Sequence, residues 1–431
     1  MRTSFSLVSA AVLAFVAAAP VSAQGYGESV VVTADEVLVG ESTSERTPGY
    51  VYVYQKGTDG WAEAARLEAS DAATGDHFGR SLGISGNQLL VGSTVVDNTR
   101  GAVYVYERGE DGSWSETAKI SASDGQDGDA FGRSITVVGD VALASSWANS
   151  ESRGAVYVLR RGEDGTWTEE AKLMASDGAP EDVFGWSASI DGDQILVGAP
   201  QKNEQRGAVY TFHQGTDGMW TETGILELDG ADARTNFGRA VVAGHGTAVI
   251  GAPGDKGFVG SVYSYAMNGE TGAWEQAGAY APFDGERGTQ FGASLQVSQD
   301  GPEVWVGAPG AGGFQGRVYV MSWDDDSDEW GAMRKVAAAD LAQGNQMGQF
   351  FAVGGSVAVA GLPGDDFGAG TASILERSGD GWTEVSRVWS EVEGLEAITG
   401  NEVECSDGEA AMWDCTDVDI VSFLPVEGLG G

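Results

Sequence analysis

An all-β fold, a seven-bladed β-propeller of four-stranded antiparallel blades with a short C-terminal tail, is predicted by three features of this 431-residue chain. Seven tryptophans, Trp61, Trp114, Trp167, Trp220, Trp274, Trp330 and Trp382, stand in register at spacings of 52 to 56 residues, so one unit is copied seven times. Each copy holds four short apolar runs separated by Gly-rich turns, the content of one blade. The third run, as in Val51-Tyr52-Val53-Tyr54 or Val103-Tyr104-Val105-Tyr106, is apolar at consecutive positions, as expected of a strand covered on both faces. Stacked blades supply that cover. No capping repeat stands at either end, so the stack must close into a ring to leave no apolar face in water.

Taken in order, residues 1–23 read as a secretory signal: Arg2, an apolar run from Leu7 to Ala19, then Pro20-Val21-Ser22-Ala23. The run is shorter than the roughly 20 residues a membrane-spanning helix needs. Residues 24–390 are the propeller. Its fourth copy shows the frame best, with a first strand over Phe184–Ile190, the turn Asp191-Gly192-Asp193, and a second strand over Gln194–Pro200. The third strand is Gly207–Phe212, followed by the Asp-Gly hairpin Thr216-Asp217-Gly218 and a fourth strand opened by Trp220. The opening recurs as Phe78-Gly79, Phe131-Gly132, Phe237-Gly238 and Phe291-Gly292, with Tyr26-Gly27 and Met347-Gly348 as variants. The strand near Glu28–Val32 and the region past Glu391 are both candidates for closing the ring. Residues 391–431 form the tail, where Cys405 and Cys415 are expected to make a local disulfide, with pairing to another molecule the alternative. Such a short loop would restrain the unfolded tail by about 3 kcal/mol in the chain-entropy view.

These residues resemble the FG-GAP repeat family, which also builds the head of integrin α chains. The resemblance rests on Phe184-Gly185 with Gly198-Ala199-Pro200, Phe237-Gly238 with Gly251-Ala252-Pro253, and Phe291-Gly292 with Gly307-Ala308-Pro309, and covers about Gly25 to Ser390. The second element is altered elsewhere, to Gly92-Ser93-Thr94, Ala144-Ser145-Ser146 and Gly361-Leu362-Pro363. The resemblance implies the propeller and leaves the task open. Family members often carry an Asp-rich calcium loop between the first two strands. Here Ser85-Gly86-Asn87, Val138-Gly139-Asp140 and Asp191-Gly192-Asp193 are too short for a seven- or eight-oxygen cage, so no cofactor or metal is expected. In the tail, Cys405, Gly408, Ala410, Cys415, Val418-Asp419 and Ser422-Phe423-Leu424-Pro425 resemble the opening segment of choice-of-anchor B secreted proteins, in which a further domain normally follows.

Charge narrows the partners. With 64 acidic against 24 basic residues, a net charge of −40, the surface repels nucleic acid and anionic lipid. An extracellular protein or polysaccharide is the expected partner, with no nucleic acid and no membrane insertion after signal cleavage.

Candidate sites are few. Gly79-Arg80-Ser81-Leu82-Gly83 spells a nucleophile elbow, but it lies in a strand and its serine recurs at equivalent positions, a structural pattern. His77, His213 and His245 occupy three different places in their repeats and share no site. Asp124, Asp127 and Asp129, and the run Asp324-Asp325-Asp326 with Asp328, read as solvated acidic loops. Gly310-Ala311-Gly312-Gly313 precedes a strand and offers no phosphate-cradling helix. The second-to-third and inter-blade loops are the long ones and must share one face of the disc, where recognition usually sits. On that face Arg100, Arg153 and Arg206 recur just before the third strand, either contacting a ligand or bridging to the inter-blade loops. The expected function is a non-enzymatic binding or adhesion module, secreted or at the cell surface, with the periplasm an alternative. The alternatives are a glycan lyase or hydrolase with a site over the central channel, and a scaffold domain of a larger secreted protein.

Overall fold

A computed structural model describes residues 25–390, apart from 44–46, 245, 299–302, 325–328, 337, 366–368 and 380, together with two two-residue strands in the tail. Residues 1–23, Cys405 and Cys415, His245 and Asp325, Asp326 and Asp328 lie outside the described residues. The chain divides into two units, Met1–Val388 and Trp389–Gly431. In the second, Glu409–Ala410 pairs antiparallel with Trp413–Asp414.

The first unit is a ring of seven four-stranded antiparallel sheets, each built from four strands consecutive in the chain. The fourth blade comprises Ser187–Asp191, Gln194–Ala199, Ala208–Gln214 and Trp220–Leu226. First strands touch one another all the way round, the first blade's Tyr26–Val32 against the seventh's Phe350–Gly354 included, so they line the axis. Seven apolar clusters form the core, one for each pair of neighbouring blades. Successive side chains explain the doubly apolar runs. Leu38 points into the cluster shared with the second blade, while Val37 and Val39 point into the cluster shared with the seventh.

Phe-Gly is the hub of each interface. Phe184 is fully buried and meets Tyr210 of its own third strand edge-on at 5.3 Å. Its backbone N–H donates to Arg153 O at the end of the preceding blade's second-to-third loop. In the fourth blade the regular first strand is Ser187–Asp191, shorter than the expected Phe184–Ile190, because Gly185 at φ +89° bulges the chain even as its N–H donates to Gly198 O of the second strand. One register assignment is also corrected. Ser145, opposite Val156 as Gly92 is opposite Val103, occupies the glycine position of the second element in the third blade, so Ala144 lies one residue before it.

The candidate segment near Glu28–Val32 does not close the ring by strand exchange, and the one past Glu391 lies outside the described residues. Tyr26–Val32 pairs with its own blade. Closure repeats the ordinary interface instead: Gly370 of the seventh blade abuts the Tyr26 backbone as Gly207 abuts Phe237. Four of the seven tryptophans add an outer latch by reaching back one blade, Trp114 to Glu36 (3.3 Å), Trp167 to Gln88 (2.8 Å) and Trp220 to Glu170 (2.9 Å) among them. Across the closure, Trp61 reaches Glu376 (3.1 Å). The indole N–H groups of Trp274, Trp330 and Trp382, in contrast, have no hydrogen-bond partner among the described residues.

Candidate functional site

The loops between second and third strands contain single left-handed turns. In Val96–Thr99, Asn149–Ser152 and Lys202–Gln205, three successive residues have positive φ. Such a run is unfavourable for L-residues, and inter-blade hydrogen bonds hold it. Gly128, Ala130 and Phe131 donate their N–H groups to the carbonyls of Asn98, Thr99 and Arg100, and the next blades repeat the pattern.

Arg100, Arg153 and Arg206 end these turns and reach over the following inter-blade loop. Arg100 Nε meets Asp127 at 2.7 Å, Arg153 meets Gly178 O at 3.3 Å, and Arg206 Nε meets Ala231 O at 3.1 Å. In the sixth blade Gln315 makes the same reach to Leu341 O at 3.0 Å, so the position is a strap that an uncharged amide also serves. The three arginines do not converge, and none lines the axial cavity.

The acidic loops are engaged as well. Asp124 accepts from the Tyr157 hydroxyl (2.7 Å) and from Lys172 (2.8 Å), and buried Asp129 accepts from Asn149 (2.8 Å). Ser81 donates to Gly132 O of the next blade (2.7 Å), as Ser29 does to Gly79 O (2.5 Å) and Ser294 to Gly348 O (2.5 Å). His213 Nδ1 lies 2.6 Å from the Gln194 amide in its own blade.

A funnel of about 840 Å³ opens at the axis among the long loops. Its wall is formed by the residue after each Phe-Gly pair: Glu28, Arg80, Arg133, Trp186, Arg239, Ala293 and Gln349 in blade order. These seven equivalent positions carry five different side chains, three of them arginine. Unlike polar groups therefore converge at the channel mouth. The signal in the sequence was variation at one register position inside an otherwise constant motif.

The cations there are unusual in this acidic protein. Among the described residues only four lysines and arginines lack a carboxylate partner: Arg133, Arg234, Arg239 and Arg287. Arg234 and Arg287 are exposed, whereas Arg133 and Arg239 are half-buried in the funnel wall. Arg239 stacks over Trp186 at 4.1 Å, Trp186 meets Trp147 edge-on at 5.7 Å, and Arg133 stands 5.7 Å from the Trp147 ring. The result is a continuous arc of cation, aromatic, aromatic, cation across three blades. Burial pulls the Arg239 guanidinium down to about 10, still charged at neutral pH. On the flank Arg80 pairs with Glu28 at 2.7 Å. Burial pushes the Glu28 carboxyl up, and Arg80 partly offsets this. The opposite wall is neutral, with Phe258, Phe314 and Phe350 near the amides of Gln290, Gln346 and Gln349. Among the described residues, no His, Cys, Asp and Glu side chains gather in a group of three or more able to hold a metal.

The FG-GAP repeat matches residues 61–106, 114–159 and 167–212. Each match starts at the tryptophan of one blade's fourth strand and ends in the third strand of the next, so the sequence repeat straddles an interface. No curated protein matches the chain. A solved structure described as a 6-phosphogluconolactonase, from Bacteroides fragilis NCTC 9343, is similar at 11% identity with a TM-score of 0.48, over 72% of this chain and 83% of that one. A likeness at that level carries nothing about activity. No helix among the described residues is long and apolar enough to cross a membrane. The chain is thus a β-propeller that carries the FG-GAP repeat in three matched places, in register with four more blades of the same build.

Proposed function

We propose that the chain is an exported, non-enzymatic binding module, acting at or outside the cell surface, that takes its ligand into the funnel on the long-loop face. One observation carries this: the only half-buried cations without partners meet two tryptophans there, among the described residues. An arginine kept from carboxylates in a protein of charge −40 costs stability, and a bound acceptor would offset that cost. The funnel's Ser29, Ser81 and Ser294 hydroxyls are spent on neighbouring carbonyls, which leaves them poor nucleophiles. The charged start, apolar run and small residues of 1–23 support export. A glycan array with a pull-down from the native cell surface tests the reading. Trp186→Ala is expected to abolish capture of the ligand, and capture undiminished in that variant would remove the funnel from consideration.

Glu28 favours a second reading, an acid–base group for glycan cleavage, because its carboxyl is half-buried in the funnel wall and pushed up by desolvation beside Arg80. Turnover of a bound polysaccharide that disappears in Glu28→Gln while binding persists would select the enzyme.

A further inference from the structure

We propose that the funnel's ligand is an acidic sugar unit, its anionic group seated between Arg133 and Arg239 and its ring facing the amide and aromatic wall. This rests on the funnel being the binding site and names the class of ligand it takes. Two guanidiniums without carboxylates demand an anion, and each offers planar donors suited to carboxylate or sulfate oxygens. They stand in the third and fifth blades at the two ends of the Trp147–Trp186 pair, on one side of the funnel wall.

The rest of the wall suits hydroxyls. The side-chain amides of Gln201, Gln290, Gln346 and Gln349 make no hydrogen bond within the fold among the described residues, and each can both donate and accept. Phe314, 49% exposed at its left-handed turn, and Phe350 offer faces for the apolar side of a sugar ring. An acidic peptide would satisfy the arginines but leaves no use for a bank of free amides opposite them. The −40 charge outside the funnel repels long polyanions, so the recognised unit is a terminus or an isolated residue rather than a continuous acidic chain.

The test uses the full chain in calorimetric titrations with a uronic-acid oligosaccharide, its methyl-esterified counterpart, a sulfated oligosaccharide and an acidic peptide. Binding to the uronate or the sulfated sugar and not to the ester is expected, and which of the two binds identifies the anionic group. Arg133→Gln and Arg239→Gln should each weaken binding about tenfold or more, while Arg287→Gln, an exposed cation outside the funnel, leaves it unchanged. Melting temperatures separate binding from folding, since neither funnel variant removes an ion pair and neither should lower Tm. Equal affinity for the ester, preference for the peptide, or no binding of either acidic sugar overturns the proposal. A neutral glycan whose capture is lost in Trp186→Ala would overturn the acidic class while keeping the funnel. A ligand indifferent to every funnel variant would remove both.

Discussion

Gly207 and Gly218 share nearly the same backbone conformation, φ +86° and +81°, yet only the first is crowded. A Cβ on Gly207 would meet the backbone of Phe237 in the next blade, whereas one on Gly218 meets nothing within 4 Å. Gly207→Ala is therefore expected to cost at least about 2 kcal/mol, backbone strain plus a displaced interface, and Gly218→Ala only about 1 kcal/mol of strain. Denaturant titration of both variants measures the difference. Equal losses would mean that the glycine before the third strand is needed for its conformation and not for the approach of the neighbouring blade. The same position reads Gly49, Gly101, Gly154, Gly260, Gly316 and Gly370 in the other blades, each against the backbone of the next aromatic or Met347.

The left-handed turns and acidic loops form a second repeated device, in which a carboxylate pins the inter-blade loop, as Asp71, Asp124, Asp177 and Asp284 do. The Lys119 ammonium holds the Asp71 carboxyl below its ordinary value, Lys172 does so for Asp124, and the Tyr210 hydroxyl for Asp177. A carboxyl depressed in the folded state gives stability that is present above its unfolded value, about pH 4, and lost as pH falls through the lower folded value. Thermal stability should accordingly drop on acidification below about pH 4, and Asp124→Asn should make the drop shallower. Melting curves across that range check it, and an unchanged slope in the variant would show that the strap carries no proton linkage. These pins illustrate what the sequence could and could not disclose. Strand content and count were legible, because runs such as Val51–Tyr54 and the Trp period are local patterns. The role of Asp124 was not, because its partners Tyr157 and Lys172 lie 33 and 48 residues away and are set by blade stacking. The funnel was missed for a related reason. Repetition identifies the scaffold, so Arg133, Trp186 and Arg239 looked like noise at a variable position, and only the ring brings them into one arc.

Ring closure here depends on no exchanged strand. Every blade is one contiguous stretch, and the first–seventh interface repeats the others: an apolar cluster shared by Tyr26, Val37 and Val39 with Val359 and Ile374, the Gly370–Tyr26 approach, and Trp61 and Lys56 on Glu376. All seven interfaces then share the apolar cluster and the glycine approach, and the chain's break between the seventh and first blades has no mechanical significance. A permutant of residues 25–390 should fold as the parent does when opened in the loop between Leu226 and Val241. It needs a linker as long as the Leu67–Phe78 connection to supply the missing seventh inter-blade loop. Deleting one blade should do the opposite. Six blades leave a gap bounded by two apolar faces, each about half of a buried cluster, and such surfaces associate in water. The permutant is expected to give a single cooperative transition within a few degrees of the parent, and the six-blade chain to aggregate. A cooperative, monomeric six-blade chain in calorimetry and light scattering would show that neighbouring pairs, and not the closed circuit, hold the fold. A permutant that fails to fold would instead place a unique requirement at the junction where Gly27 lies against Gly361.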